Sequence, residues 1–112
     1  MSSELPHVVA RSADTAELHA PVPTLLLELQ TLLGTLAATV AAETHRGRKP
    51  FRPNAEWPQR LGDLAYGVYL LADQTGVDVA QAVQATAARI VDAPRPPARN
   101  GAEQSNDFFD RA

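Results

Sequence analysis

Residues 60–83 read RLGDLAYGVYLLADQTGVDVAQAV, and their periodicity decides the fold. Leu61, Leu64, Ala65, Val68, Leu71 and Ala72 recur at helical spacing, which gives the segment one apolar face. Pro58, just upstream, suits the first helical position, where no amide hydrogen is needed. Gly76 follows the last periodic residue, a position that favours a left-handed backbone and stops a helix. Asp78 then precedes a second apolar series: Val79, Ala82, Val83, Thr86, Ala87 and Ile90. Gln81, three residues after Asp78, completes a capping-box-like spacing. The stretch therefore predicts a helix over about 58–74, a glycine stop, and another helix from Asp78 to about 91.

Towards the N-terminus, residues 44–57, THRGRKPFRPNAEW, form a loop broken by Gly47, Pro50 and Pro53 and rich in Arg and Lys. Before it, residues 24–43, TLLLELQTLLGTLAATVAAE, predict a long helix with Thr24 as N-cap. Leu25, Leu29, Leu32, Leu36 and Val40 make one apolar stripe, and Leu26, Leu33, Ala37 and Ala41 widen it. Glu28, Thr31, Thr35 and Thr39 fill a narrow polar strip. A helix this apolar buries more than one face. Residues 1–21 are punctuated by Pro6 and Pro21 and read as a loose arm, with room for a short helix near Asp14–His19. The helical domain is thus placed at 22–91. Residues 92–112, Pro-rich and then polar, read as a disordered tail.

Composition narrows the class. The chain has 112 residues, with 10 Lys+Arg against 13 Asp+Glu, for a formal net charge of -3. That balance argues against a general attraction to nucleic acid or membranes. The absence of Cys excludes disulfides and thiolate zinc sites and suits a reducing cytoplasm. The first residues lack the basic and apolar regions of a signal peptide. The apolar stretches read as too short and too interrupted to span a bilayer. A soluble, cytoplasmic, all-α protein is expected. Three helices of such apolar character cannot cover their faces within so small a chain, so a helical bundle completed by homodimerisation is expected.

From Leu32 to Ile90 the chain resembles the MazG family of all-α nucleoside triphosphate pyrophosphohydrolases. The family's second motif helix is similar to E-L-x-D-x-x-Y-x-x-x-x-L-A-D-x-x-G-I-D-L-x-x-A. Here the matching residues are Leu61, Asp63, Tyr66, Leu71-Ala72-Asp73, Gly76, Asp78 and Ala82. The first motif, similar to E-E-x-G-E-L-A, corresponds to residues 31–37, TLLGTLA. Gly34, Leu36 and Ala37 match, but Thr31, Leu32 and Thr35 stand at its glutamate positions. Arg60 replaces the acid of E-x-x-D, and Thr86 and Ile90 replace a Lys and an Asn of the third helix. The resemblance implies a scaffold whose carboxylates would hold Mg²⁺ against the substrate phosphates. With Thr, Leu and Arg at those positions, no catalytic residue is assigned. Asp63 and Glu28 are the residual metal candidates.

Two functional classes follow. One is a degenerate MazG-like module that binds a partner, with a nucleotide as a second candidate ligand. The other is an active pyrophosphohydrolase that converts an NTP to NMP plus pyrophosphate with a reduced Mg²⁺ site. The basic loop offers Arg46, Arg48, Lys49 and Arg52 as phosphate ligands, with His45, Phe51 and Trp57 alongside. Such a group would also suit a nucleic-acid accessory protein. The bland reading has its charges balanced by Glu43 and Glu56. Asp63 has a bland reading too: an acid near a helix N-terminus, supported by Arg60. His7, His19 and His45 lack metal-ligand spacing. Phe108 and Phe109 give residues 104–112 a candidate docking segment for a protein partner. A mixed oligomer with a homologue would be another way to supply missing ligands.

Overall fold

The computed structural model describes residues 4–94. The proposed docking segment, residues 104–112, lies outside them, as does most of the C-terminal tail. The described residues are all-α: helix α1 spans Leu5–Ala16, α2 Val22–Glu43, α3 Trp57–Gln74 and α4 Val79–Asp92. No strand occurs among them.

The first helix corrects the loose-arm expectation for residues 1–21. Pro6 lies in the first turn of α1, where proline is tolerated, rather than breaking the segment. Val9 and Ala13, one turn apart, are the two buried residues of α1. They join Leu25 of α2 and Leu70 of α3 in one small core, with Ala20, Tyr66, Tyr69 and Leu71 packed around it. A polar clasp adds to this contact. The Ser12 hydroxyl donates to the Val9 carbonyl at 3.0 Å and lies 2.7 Å from the Tyr66 hydroxyl. Ser12 has one proton, so Tyr66 is the donor in the second bond.

Helix α2 begins at Val22, with Pro23 in its first turn, so Thr24 lies inside the helix rather than at its cap. It runs antiparallel to α3. Leu25, near the start of α2, shares a cluster with Leu70, near the end of α3. One turn further along α2, Leu29 packs on Gly67, where a Cβ would stand 2.5 Å from Leu29 Cδ2. The missing side chain is what lets the two backbones approach at that level.

Helix α3 ends as its sequence predicts. Gly76 has φ 71°, the Val77 amide donates to the Ala72 carbonyl at 2.9 Å, and the Gly76 amide donates to Asp73 at 3.2 Å. These two bonds form a Schellman stop. Asp78 then caps α4 by accepting the Gln81 amide at 3.1 Å. None of the α4 residues is buried.

Large apolar side chains are mostly outside. Leu26, Leu27, Leu32 and Leu33 of α2 and Val83, Ile90 and Val91 of α4 are exposed. Among the described residues, Val9, Leu25 and Leu70 are the large aliphatic residues that are buried. By length and composition alone, α2 passes as long and apolar enough to cross a membrane: it has 22 residues, and its most apolar window has a mean hydropathy of 1.6.

Candidate functional site

The α2–α3 register determines which motif positions meet. Continued from the Leu29–Gly67 contact, it brings Leu32 level with Asp63–Leu64 and Leu36 level with Arg60. The segments that resemble the two family motifs therefore lie beside one another on adjacent helices.

Their side chains do not form a donor cluster. Thr31 and Thr39 each donate to the carbonyl one turn back, Leu27 and Thr35, at 3.0 Å. This is the self-satisfied state common for Thr within helices. Arg60 pairs with Glu56, one turn back, at 2.9 Å, and not with Asp63 as the sequence suggested. The Arg60 guanidinium is thus drawn toward the start of α3, on the side away from Asp63.

Asp63 and Glu28 are exposed and do not come together. In the antiparallel register Glu28 is level with Val68, about five residues from Asp63, or ~7 Å along the helix axis. Neither acid lies in the first turn of its helix, so the helix-terminus reading of Asp63 is corrected. Glu28 instead borders a shallow, open depression with Thr24, Leu27, Thr31 and Leu32, all on α2. Among the described residues, no three His, Asp or Glu side chains converge as metal ligands. Mg²⁺ ordinarily requires one or two carboxylates beside phosphate oxygens in octahedral geometry. Residues 31–35 and 60–63 do not fit that requirement.

The basic loop is more ordered than its composition suggested. Thr44, 6% exposed, is buried behind it. Its hydroxyl donates to Val40 at 2.8 Å and accepts the Gly47 amide at 3.0 Å. His45, Arg46 and Gly47 follow with φ 51°, 61° and 90°, three successive left-handed residues. The Arg46 amide donates to Ala41 at 2.7 Å and the Lys49 amide to Thr44 at 2.9 Å. The expected neutralisation by Glu43 and Glu56 does not occur. Glu43 accepts from the Asn54 amide group at 3.4 Å, and Glu56 is taken by Arg60. Arg46, Arg48, Lys49 and Arg52 have no acidic partner among the described residues. Phe51 and Trp57 pack edge to face, with ring centroids 4.9 Å apart.

A second polar constellation was missed in the sequence. His19 follows α1, with Nε2 2.8 Å from Asp14 Oδ1 and Nδ1 3.2 Å from Gln74 Oε1. Its pKa is raised above the ordinary value of 6.5, first by the hydrogen bond to Gln74 and then by the Asp14 carboxylate, with partial desolvation opposing. Both ring nitrogens donate at once only in the imidazolium, so the protonated ring joins α1 to the end of α3. Its partners are five residues before it and 55 after it in the chain, and only the longer separation carries the tertiary contact. No local pattern announces it.

No family model, curated protein or solved structure matches the chain.

Proposed function

We propose that this chain is a MazG-like helical module that has lost Mg²⁺-dependent pyrophosphohydrolysis and acts as a dimeric binding or regulatory protein in the cytoplasm. The observation that carries the reading is the level at which the two motif segments lie side by side. There Thr31, Leu32 and Thr35 stand beside Arg60 and Asp63. One carboxylate with only Thr, Leu and Arg at the other motif positions is a poor start for a magnesium site, because Mg²⁺ takes hard oxygen ligands and those residues offer no further carboxylate.

The apolar surfaces support the dimer. Three buried large aliphatics cannot offset the conformational entropy of four helices. Covering the exposed leucines of α2 and the exposed valines and isoleucine of α4 would enlarge that core. A second copy fits better than a bilayer as the occupant. Helix α3 packs along α2 and carries Arg60, Asp63 and Asp73, each costing about 2.5–3.5 kcal/mol at a membrane centre. A symmetric pair in which α4 of one chain lies on α2 of the other buries both faces twice.

The deciding experiment is pyrophosphate release from a panel of NTPs and dNTPs with Mg²⁺ and Mn²⁺, with Asp63→Asn in parallel. The reading expects no turnover from folded dimer. Turnover abolished by Asp63→Asn would overturn it in favour of an active enzyme with a reduced metal site.

A further inference from the structure

We infer that the turn over residues 44–52 is a binding site for a polyphosphate chain, held by Arg46, Arg48, Lys49 and Arg52. The inference names a ligand class for the binding role proposed above and rests on that role for its meaning, although the turn lies within one chain. Four of the chain's 10 Lys and Arg residues fall in seven positions of a protein with net charge -3. A positive patch against a negative whole is a local feature, not a consequence of composition.

The backbone beneath three of these cations is held in place. The amides of residues 44–49 all donate within the turn or to the last turn of α2. His45 and Arg46 occupy a left-handed conformation that is strained for a non-glycine residue. Such strain persists only where the surroundings over-determine it, and buried Thr44 supplies the anchor through two hydrogen bonds. The result is an ordered backbone beneath Arg46, Arg48 and Lys49, with Arg52 three residues beyond it. The backbone share of the ordering is in place before a ligand arrives, which lowers the cost of binding, while the exposed side chains order on the ligand.

No acid among the described residues forms an ion pair with the patch. Glu56 is paired with Arg60, and Glu43 accepts only from the neutral Asn54 amide. The dipole of α2 is a weaker alternative: it fades beyond the last turn, and no basic residue lies within that turn. Arg forks and a Lys point charge suit phosphate oxygens. A short polyphosphate fits better than an extended nucleic-acid strand for two reasons. The cations occupy one tight turn, and Phe51 and Trp57 are packed on each other rather than spread as stacking platforms.

The test is titration calorimetry of the full chain with inorganic tripolyphosphate in EDTA at low ionic strength. ATP, AMP and a single-stranded oligonucleotide are titrated in parallel, and sedimentation follows each variant. Tripolyphosphate and ATP are expected to bind comparably, with AMP about tenfold weaker. Arg48→Ala and Lys49→Ala should each weaken binding about three- to tenfold, and the quadruple alanine variant should abolish it. These positions are exposed, so circular dichroism should be unchanged. ATP binding without tripolyphosphate binding would place recognition on the nucleoside and overturn the inference. So would oligonucleotide binding alone, affinity indifferent to the four substitutions, or no binding of any probe. A wild-type monomer that binds tripolyphosphate through these residues would sink the dimer and leave the inference standing. A dimer that binds none would do the reverse.

Discussion

Replacing Leu33 by Ala, and then by Asp, should separate the protomers of the proposed dimer. Leu33 is 54% exposed on α2. Fully burying a leucine stabilises by about 1.5–3 kcal/mol, so covering the exposed half contributes roughly 0.8–1.6 kcal/mol. In a symmetric interface the residue is lost twice, which doubles the effect to roughly 1.6–3.2 kcal/mol per dimer. Leu33→Ala removes most of this, and the dissociation constant should rise by about ten- to hundredfold. Leu33→Asp should do more, since it also places a carboxylate against apolar neighbours. Val8, 49% exposed on α1, is the control, and Val8→Ala should leave the constant unchanged. Sedimentation equilibrium over a concentration series measures the constant. Thermal melts at the same concentrations should show a midpoint that falls on dilution. A wild-type monomer with a sharp, concentration-independent melt would refute the reasoning, as would equal effects of the Leu33 and Val8 substitutions.

The remaining predictions concern the local joints. His19 has a folded-state pKa above its ordinary value, so its bridge stabilises fully below about pH 6.5 and is lost as pH rises through the folded value. Proteolysis within α1 should therefore quicken on going from acidic to alkaline pH, and His19→Ala should flatten that dependence; a parallel profile in the variant would rule the bridge out. Gly62→Ala enters open space on α3 and should stabilise by about 0.5–1 kcal/mol through helix propensity. Gly67→Ala must displace Leu29 and should lose that gain or reverse it, so equal denaturation midpoints for the two would contradict the close approach. Arg46→Gly relieves a left-handed non-glycine residue and should stabilise by about 0.5–1 kcal/mol while weakening tripolyphosphate binding; reduced stability would mean that the turn carries no such strain.

Legibility in the sequence followed the range of the interactions. The Gly76 stop and the Asp78 cap are decided within six residues, and both stand as their sequence predicts. The all-α class follows from apolar periodicity, which is also local. Helix α1 was hidden because its buried side is little more than Val9 and Ala13, and because a proline at its start reads as a breaker until the helix boundary is known. The Glu56–Arg60 pair has i,i+4 spacing and is open to reading once the start of α3 is known, because Glu56 is its N-cap residue. The lack of an acidic partner for the basic loop is a tertiary fact with no local pattern. Left-handed backbone at His45 and Arg46 has no residue-type signal, since it is set by the buried anchor at Thr44.

On the proposed reading, the loss of chemistry and the gain of an interface are one change. The motif that the first segment resembles carries glutamates at the positions held here by Thr31, Leu32 and Thr35. Glutamates there would raise the density of negative charge along α2 and require a cation to hold them together. With Thr and Leu in their place, the most apolar window of α2 reaches a mean hydropathy of 1.6 while most of it stays uncovered. A helix so apolar is unstable against water on its own, and its intrinsic propensity is lowered by its threonines and Gly34. It must be covered. On that reading, the residues that stand in place of magnesium ligands, Leu32 above all, also belong to the surface that a second chain would bury. Putting glutamate back at positions 31, 32, 35 and 60 would set metal binding against dimer stability, which is the trade that this sequence resolves toward packing.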